Sequence, residues 1–336
     1  MRPRRAIAAA TAATAIAALL LAGCSAGPQA EGARLAPEAR GYLSDALDLL
    51  QQQSLNTAEV NWKDVRAQAF TQAAEARTPA DTYPAISGAV GALGDHHSRF
   101  YPPDQAGQVD ADPEVVDAPT TRQLPGGIGY LALPRVNGAE RTYTEYVARG
   151  RAAVTETDRA GACGWVVDLR DESGGGMWPP LAVAAPILGD GPVGGFVTAD
   201  GRRSAWSIRD GVPYLDDAPL ASTNGATPLA SPGPPVAVLT GRGTGSAGEA
   251  VAIAFIGRPA TRSFGDLTYG VPTGNAPHRL SDGAVILLTG AAEADRTGRI
   301  HTGPIAPDVT VGARMGSDPV LDAAADWLAR QAACGG

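Results

Sequence analysis

The 336-residue sequence is poor in lysine, cysteine and histidine, and each shortage narrows the chemistry open to the chain. Lys63 is its single lysine, which excludes a P-loop and also a Ser/Lys pair built within the C-terminal part of the chain. The three cysteines and four histidines show none of the spacings that bind zinc. The sequence therefore indicates neither a metal site nor a cofactor.

Basic charge is scarce as well, and the N-terminus holds part of it. The chain has 27 Lys and Arg against 35 Asp and Glu, a formal net charge of −8. Removing residues 1–23 takes away three arginines and no acids, which moves the charge to −11. Nucleic-acid binding depends on Lys and Arg neutralising phosphates. We therefore expect no nucleic-acid partner.

The apolar run at the N-terminus is too short to span a bilayer. It follows a basic start and covers about 16 residues, against the roughly 20 that a transmembrane helix needs. This pattern predicts a signal peptide over residues 1–23. The run ends in Leu-Ala-Gly-Cys, which resembles a bacterial lipoprotein signal with Cys24 lipidated; an ordinary secretory signal cleaved near Ala26 is the alternative. We expect an extracytoplasmic lipoprotein anchored to the cell membrane by acyl chains.

Two cysteines remain once Cys24 is assigned to lipid. Cys163 precedes an apolar strand, and Cys334 lies near the C-terminus. An oxidising compartment would allow them to pair. Separation in sequence says nothing about the short Cα distance that a disulfide requires, so one buried thiol and one loose thiol is an equal alternative.

Apolar periodicity divides the mature chain into segments. Residues 24–33 are small and polar and predict a tether. Residues 34–103 contain three stretches with apolar side chains three and four apart, which predicts a small three-helix unit. Residues 104–126 are rich in Asp, Pro, Gly and Thr and predict a linker. Over residues 127–336 apolar strands alternate with helices, which predicts a mixed α/β domain with a largely buried sheet.

The strongest chemical signal is a glycine-rich turn between an apolar strand and a helix, within residues 235–255. The turn reads Gly-Arg-Gly-Thr-Gly-Ser-Ala-Gly-Glu and places Ser246 at the start of the helix. Glycines let the backbone turn sharply through positive φ. The free N–H groups and the dipole of a helix start favour negative charge. These features suit a serine nucleophile and, equally, a phosphate site.

A dinucleotide site is the rival interpretation of this turn. Residues 243–248 fit G-x-G-x-x-G between a strand and a helix, with Asp266 about 20 residues further on. The segment lies late in the chain, however, and no clear second βαβ unit follows it. An extracytoplasmic protein also has little access to NAD. A nucleophile elbow, G-x-S-x-G, is not present because Thr244 stands two residues before the serine.

A serine nucleophile needs a base and donors for the oxyanion. Of the four histidines, His97 lies in a polar loop that suits a base, although a loop histidine is often only solvated. A second glycine cluster, residues 174–176, follows an apolar strand and offers backbone N–H groups. If that strand and the strand before Ser246 end at one sheet edge, the cluster and the N–H of Ala247 would form an oxyanion hole. A flexible turn is the alternative.

Four stretches together resemble the tail-specific (carboxyl-terminal processing) serine proteases. They are Asp-Leu-Arg followed by Gly-Gly-Gly over residues 168–176, Thr-Gly-Ser-Ala-Gly-Glu over 244–249, and Leu-Ser-Asp-Gly through Pro-Asp over 280–308. The fourth, Asp-His-His-Ser over 95–98, resembles the Asp-x-His-Ser loop of the Ser/His branch that includes the tricorn protease core. The resemblance implies a ClpP/crotonase-like catalytic domain preceded by the helical unit.

The resemblance also implies roles for individual residues. Ser246 would be the nucleophile and His97 the base. Gly174 or Gly175, together with Ala247, would supply the oxyanion N–H groups.

This sequence departs from the family pattern at two points. The lysine of the Ser/Lys branch should fall near Val271 and is absent, and the linker leaves no room for the usual PDZ module. The acidic partner of the histidine is not fixed by the resemblance: Asp295 is the first expectation and Glu249 the second. We expect a lipid-anchored serine endopeptidase acting on peptides or proteins. A non-catalytic peptide- or ligand-binding protein on the same fold is the alternative.

Overall fold

The structure is a computed structural model that describes residues 35–107, 111–220, 227–312 and 314–335. The predicted signal peptide, the tether and Cys24 lie outside these residues. The helices are α1 (Pro37–Gln53), α2 (Trp62–Gln72), α3 (Tyr83–Gly91), α4 (Pro103–Ala106), α5 (Glu140–Arg159), α6 (Trp178–Leu188), α7 (Ala247–Phe255) and α8 (Pro319–Ala329). Within the described ranges, no helix is both long and apolar enough to cross a membrane.

The strands belong to two sheets of a mixed α/β fold, as predicted. They are β1 (Arg99–Tyr101), β2 (Thr120–Leu124), β3 (Ile128–Ala132), β4 (Gly164–Asp168), β5 (Gly191–Thr198), β6 (Arg203–Arg209), β7 (Val212–Leu215), β8 (Ala218–Pro219), β9 (Val236–Thr240), β10 (Thr261–Gly265), β11 (Thr273–Arg279), β12 (Val285–Asp295), β13 (Ile300–His301) and β14 (Val309–Thr310).

The six-stranded sheet has the order β14-β10-β9-β4-β3-β2, and only the edge strand β2 runs antiparallel to its neighbour. Every residue of β4 and β9 is buried, because helices cover both faces of the sheet. Parallel pairing places Asp168 beside Leu239. The turns that follow β4 and β9, which carry the two glycine clusters, therefore lie at the same edge of the sheet.

The other sheet has eight strands and is antiparallel. Its centre is the 11-residue β12, which pairs with β1, β5, β11 and β13. β12 extends to Asp295, and its last five residues, 291–295, are all buried.

The three N-terminal helices form a unit around their own apolar cluster, as the sequence predicts. Leu43, Leu47 and Leu50 line one face of α1 at helical spacing. The same cluster includes Ile286 and Leu288 of β12. The helical unit is therefore packed directly against the antiparallel sheet.

The predicted linker over residues 104–126 includes regular secondary structure near both of its ends. It contains most of α4 and all of β2, which forms the edge of the six-stranded sheet. Val116 and Ala118 are buried. The sequence does not predict the edge strand β2, because Thr-Thr-Arg-Gln-Leu is largely exposed and has little apolar pattern.

Cys163 and Cys334 form a disulfide across 171 residues, with their Cα atoms 5.2 Å apart. This resolves the open alternative in favour of pairing. The bond ties the segment after α8 to the start of β4, and the α8 apolar face packs on the six-stranded sheet. At the other end of α8, Asp318 accepts a hydrogen bond from Leu321 N–H and forms an ion pair with Arg170.

Candidate active site

Ser246 occupies a strained turn at the start of α7. Its backbone has φ 50° and ψ −110°, a region that a side chain rarely adopts. Such a conformation costs about 1–3 kcal/mol and persists only where the surroundings impose it. The sequence lacks the nucleophile-elbow pattern, yet Ser246 lies in a strand-to-helix turn with similarly strained backbone angles.

Glu249 imposes this turn. It is fully buried, and its carboxylate accepts four hydrogen bonds. Oε2 accepts from the backbone N–H of Ser246 at 2.9 Å and of Val271 at 2.8 Å. Oε1 accepts from the Thr268 hydroxyl at 2.6 Å and the Gly270 N–H at 2.8 Å. The carboxylate is thus occupied by donors from the serine turn and from residues 268–271. The second expectation, that Glu249 is the acid on the histidine, is therefore corrected.

The glycine turn after β4 contacts the serine turn. The Gly245 N–H donates to the carbonyl of Glu172 at 3.0 Å. A Cβ on Gly174 would lie only 3.4 Å from the Ser246 Cβ and 3.8 Å from its Oγ. Gly174 has φ 128°, a value that favours glycine. The predicted meeting of the two glycine clusters therefore occurs.

The expected oxyanion donors lie on the two turns that meet at Ser246. Gly175 has φ 106°, and a Cβ there would lie 2.0 Å from the carbonyl oxygen of Val136. That carbonyl accepts from the N–H of Gly176, which leaves the Gly175 N–H out of the pairing. Ala247 is the first residue of α7, so its N–H has no partner within the helix.

Asp95 shapes the loop that carries His97. Its Oδ1 accepts from the backbone N–H groups of His97 at 2.9 Å and Ser98 at 2.7 Å, and its Oδ2 accepts from the Ser98 hydroxyl at 2.6 Å. The Ser98 Oγ in turn accepts from the Thr289 N–H of β12 at 3.0 Å. The loop is therefore fixed to the central strand of the antiparallel sheet.

The His97 imidazole has two neutral partners, both on β11. Its Nδ1 lies 2.8 Å from the Thr273 hydroxyl, and its Nε2 lies 3.1 Å from Nδ2 of Asn275. The Asn275 amide nitrogen can only donate, so Nε2 is the accepting nitrogen and Nδ1 carries the proton. Burial lowers the pKa of His97 below its ordinary value of 6.5, with Asp95 opposing this shift and Arg99 adding to it. His97 is consequently neutral at pH 7.

One stretch of chain, residues 268–275, joins the serine to the histidine; we name it the bridging segment. Glu249 holds its first half through Thr268, Gly270 and Val271. Thr273 and Asn275 in its second half hold His97. No hydrogen bond links Ser246 Oγ directly to His97 in the part of the chain that the structure describes. The hydrogen-bond partner of His97 Nε2 is the Asn275 amide.

Asp295, the first choice for the acid that orients His97, lies elsewhere, so that expectation is corrected. Its carboxylate accepts from Nε2 of His301 at 3.0 Å and from Thr297 and Arg299. Burial opposes ionisation of Asp295, but the hydrogen bonds from Thr297 and His301 outweigh it and lower its pKa. Asp295 therefore pairs with a different, buried histidine.

Two further buried carboxyls flank the serine turn. Burial raises the pKa of Glu172 to about 9, since the N–H of Gly174 and the charge of Arg135 offset the desolvation only in part. Burial and the neighbouring Glu249 raise the pKa of Glu293 well above its ordinary value. Burial therefore favours the neutral acid at both residues, whereas Glu249 accepts four hydrogen bonds beside the serine turn.

A cavity of about 670 Å³ opens beside Asn275. It lies between the helical unit, represented by Gln53 and Leu55, and strands that contribute Phe196 and His278. Among the described residues, no group of His, Cys, Asp and Glu side chains could hold a metal ion.

Thr273 and Asn275 were not identified from the sequence. A threonine and an asparagine on a strand with an exposed face belong to no motif, and only the pairing of β11 with β12 brings them to the His97 loop. His97 lies 176 positions from Thr273 and 178 positions from Asn275, so spacing along the chain gives no signal for these contacts.

Fold and site together define a mixed α/β protein with a strained serine on a helix start, an adjoining glycine turn and a neutral histidine linked to that turn through the bridging segment. The chain belongs to peptidase family S41, whose model matches residues 127–311. A nisin-resistance protein of Lactococcus lactis subsp. lactis is 23% identical over 88% of both chains.

Solved structures show the same fold. A lipoprotein from Streptococcus agalactiae matches with a TM-score of 0.73 and 23% identity, over 88% of this chain and 97% of that one. The photosystem II D1 C-terminal processing protease matches with a TM-score of 0.59 and 17% identity, over 81% of this chain and 93% of that one. The family expected from the motifs is therefore confirmed, and with it the peptidase class.

Proposed function

We propose that this protein is an extracytoplasmic, lipid-anchored serine endopeptidase that uses Ser246 as nucleophile and His97 as base. The observation that carries the proposal is the bridging segment, which Glu249 fixes to the serine turn at one end and which fixes His97 at the other. A strained serine at a helix start and an uncharged, oriented imidazole are what serine acyl transfer requires.

His97 would act through Nε2. Because Nδ1–H donates to Thr273, the lone pair of Nε2 is available to take the serine proton once the Asn275 amide gives way. Ser246 Oγ then bonds to the substrate carbonyl carbon, and the imidazolium returns the proton to the leaving amine. Water repeats the sequence on the acyl-enzyme. Thr273 here takes the place that an acid holds in Ser-His-Asp sites.

The developing oxyanion would be stabilised by backbone N–H groups. Ala247 at the start of α7 is one donor, and Gly174 or Gly175 is the other. Donors of this kind contribute about 3–4 kcal/mol to catalysis because they are fixed before the charge forms.

The substrate would be a peptide or protein that enters along the cavity beside Asn275. Nisin is a reasonable first substrate, since a relative is named for nisin resistance. Location outside the cytoplasm, with Cys24 lipidated, is supported by the signal-like N-terminus and by the similarity to a streptococcal lipoprotein.

The test is active-site labelling with a fluorophosphonate probe followed by peptide mapping. We expect label on Ser246, none in Ser246→Ala, and a loss of labelling rate of about 10³-fold in His97→Ala. Ser87→Ala serves as a matched control, because Ser87 is exposed on α3 of the helical unit. Label on another serine, or equal labelling of His97→Ala, would overturn the proposal.

A non-catalytic peptide-binding protein is the second candidate. The observation in its favour is the Asn275 amide, which occupies the histidine nitrogen that should face the serine. This candidate predicts that peptides bind and remain intact, with no probe incorporation. Turnover of any peptide that depends on Ser246 would exclude it.

A further inference from the structure

A second large cavity lies at the far end of α7 from Ser246. It has a volume of about 750 Å³ and is lined by Phe255, Ile256, Arg258, Ser263 and Ile305, among others. The first α7 residue in its lining is Ala252, which follows Ser246 by six residues, about 9 Å along the helix axis. No step proposed above uses this cavity.

Arg258 is the unusual member of the lining, because its side chain is only 7% exposed. Its Nε donates to the carbonyl of Leu188 at 3.1 Å. Its Nη1 donates to the Pro259 carbonyl and the Thr261 hydroxyl, both at 3.0 Å. Its Nη2 has no acceptor in the described part of the chain, although a guanidinium offers a planar fork of donors.

Among the residues that the structure describes, no carboxylate forms an ion pair with this guanidinium. Arg299 also lines the cavity, and Arg296 lies close enough to act on Arg258. The two acids in this region are engaged elsewhere: Asp295 bonds to His301 and Thr297, and Asp308 on the cavity wall bonds to Ser263.

The arginine remains charged all the same. Burial, with a smaller effect from Arg296, lowers the pKa of Arg258 to about 10, so it carries a full positive charge at neutral pH. A buried charge without a counter-ion destabilises a fold by several kcal/mol. A ligand of opposite charge would offset this cost.

The rest of the wall defines the other half of the ligand. Phe255, Ile256 and Ile305 give the cavity an apolar side, while Ser263 and Thr261 lie near the arginine. We propose that this cavity binds a carboxylate attached to an apolar body, with Arg258 receiving the carboxylate. A medium-chain fatty acid and the C-terminal residue of an apolar peptide both have this chemistry.

Calorimetric titration of the Ser246→Ala chain tests the site without hydrolysis. Octanoate represents the fatty acid, and the peptide Ala-Val-Leu, as free acid and as C-terminal amide, represents the peptide. We expect octanoate, the free-acid peptide or both to bind, and octylamine and octanol to bind at least about tenfold more weakly, since a charge-assisted hydrogen bond is lost. The stronger of the two carboxylates identifies the source.

Variants locate the binding. Arg258→Met should weaken the carboxylate at least about tenfold. Ala252→Leu, which narrows the cavity without removing a hydrogen-bond partner of Arg258, should weaken binding at least about tenfold and tests the site even if Arg258→Met fails to fold. Arg262→Ala is the matched control, because Arg262 is exposed on β10 between the cavity-lining Thr261 and Ser263. The inference is overturned if neither carboxylate binds, if octanol binds equally well, or if Ala252→Leu binds normally.

Discussion

The two histidines with hydrogen-bonded imidazoles lie in opposite electrostatic settings. His97 has two neutral partners, Thr273 and Asn275, and burial lowers its pKa. His301 is 7% exposed and forms an ion pair or hydrogen bond with the carboxylate of Asp295. The carboxylate that sequence reasoning assigned to the first histidine thus belongs to the second.

An acid beside a histidine therefore does not by itself identify a catalytic pair. Asp295 and His301 close a turn between β12 and β13, where the carboxylate also accepts from two backbone N–H groups. At the serine turn, the available carboxylate, Glu249, is saturated by backbone and hydroxyl donors. The neutral hydroxyl of Thr273 is left to orient His97.

The largest effect should come from replacing each of the two histidines in turn, because His97 is the proposed base and His301 is not. We expect His97→Ala to lower kcat/KM for peptide hydrolysis by about 10³-fold, because the base is lost. His301→Ala should leave kcat/KM within about threefold and lower stability by about 1–3 kcal/mol, because Asp295 loses a buried partner. Steady-state kinetics and denaturant unfolding measure the two. A larger kinetic loss in His301→Ala than in His97→Ala would reverse the comparison.

The next effect concerns the carboxylates. Glu249→Gln puts an amide NH₂ against backbone donors, so we expect kcat to fall about 100-fold and stability to fall by about 3 kcal/mol or more. Glu293→Gln is the matched control: burial and the neighbouring Glu249 raise the pKa of Glu293 and favour its neutral acid, and an amide is nearly the same shape. It should change kcat less than about threefold. Equal losses in the two variants would mean that burial, and not the four hydrogen bonds of Glu249, fixes the turn.

A smaller effect should follow from changing the partner of His97. Thr273→Val removes the Nδ1 hydrogen bond and should lower kcat about tenfold, while Thr273→Ser should restore most of it. Thr273→Asp makes the site resemble that of His301, and the added charge should raise the pKa of His97. The acidic limb of the kcat/KM profile should then move to higher pH. An unshifted limb would show that Thr273 does not face the titrating group.

The smallest effect concerns how the free energy of unfolding depends on pH. Unfolding lets His97 bind a proton at its ordinary pKa of 6.5, whereas the folded pKa is lower. The unfolded state therefore binds more protons between these two values, and this contribution to stability, complete above pH 6.5, is lost as pH falls. We expect His97→Gln to flatten the stability curve in that window, measured by urea unfolding, while His301→Gln leaves the His97 contribution in place. No change in slope for His97→Gln would contradict the burial argument.

Much of the site could be predicted because its parts are local. The Ser246 turn is a strand, a glycine run and a helix within about 20 residues, and parallel pairing of β4 with β9 brings the second glycine turn to it. His97 lies in a loop whose Asp95 contacts are two and three residues away. Thr273, Asn275 and the true partner of Asp295 could not be predicted, because long-range antiparallel pairing sets them.

Sequence alone was enough for the α/β class, the three-helix unit and the family, and it predicts a role for Ser246 and His97, since local backbone demands and side-chain chemistry leave their mark on neighbouring residues. Only the tertiary structure decided which acid meets which histidine, that Cys163 pairs with Cys334, and that residues 120–124 complete a sheet. These contacts join positions far apart in the chain. Their energy depends on burial and register, which no single stretch of sequence records.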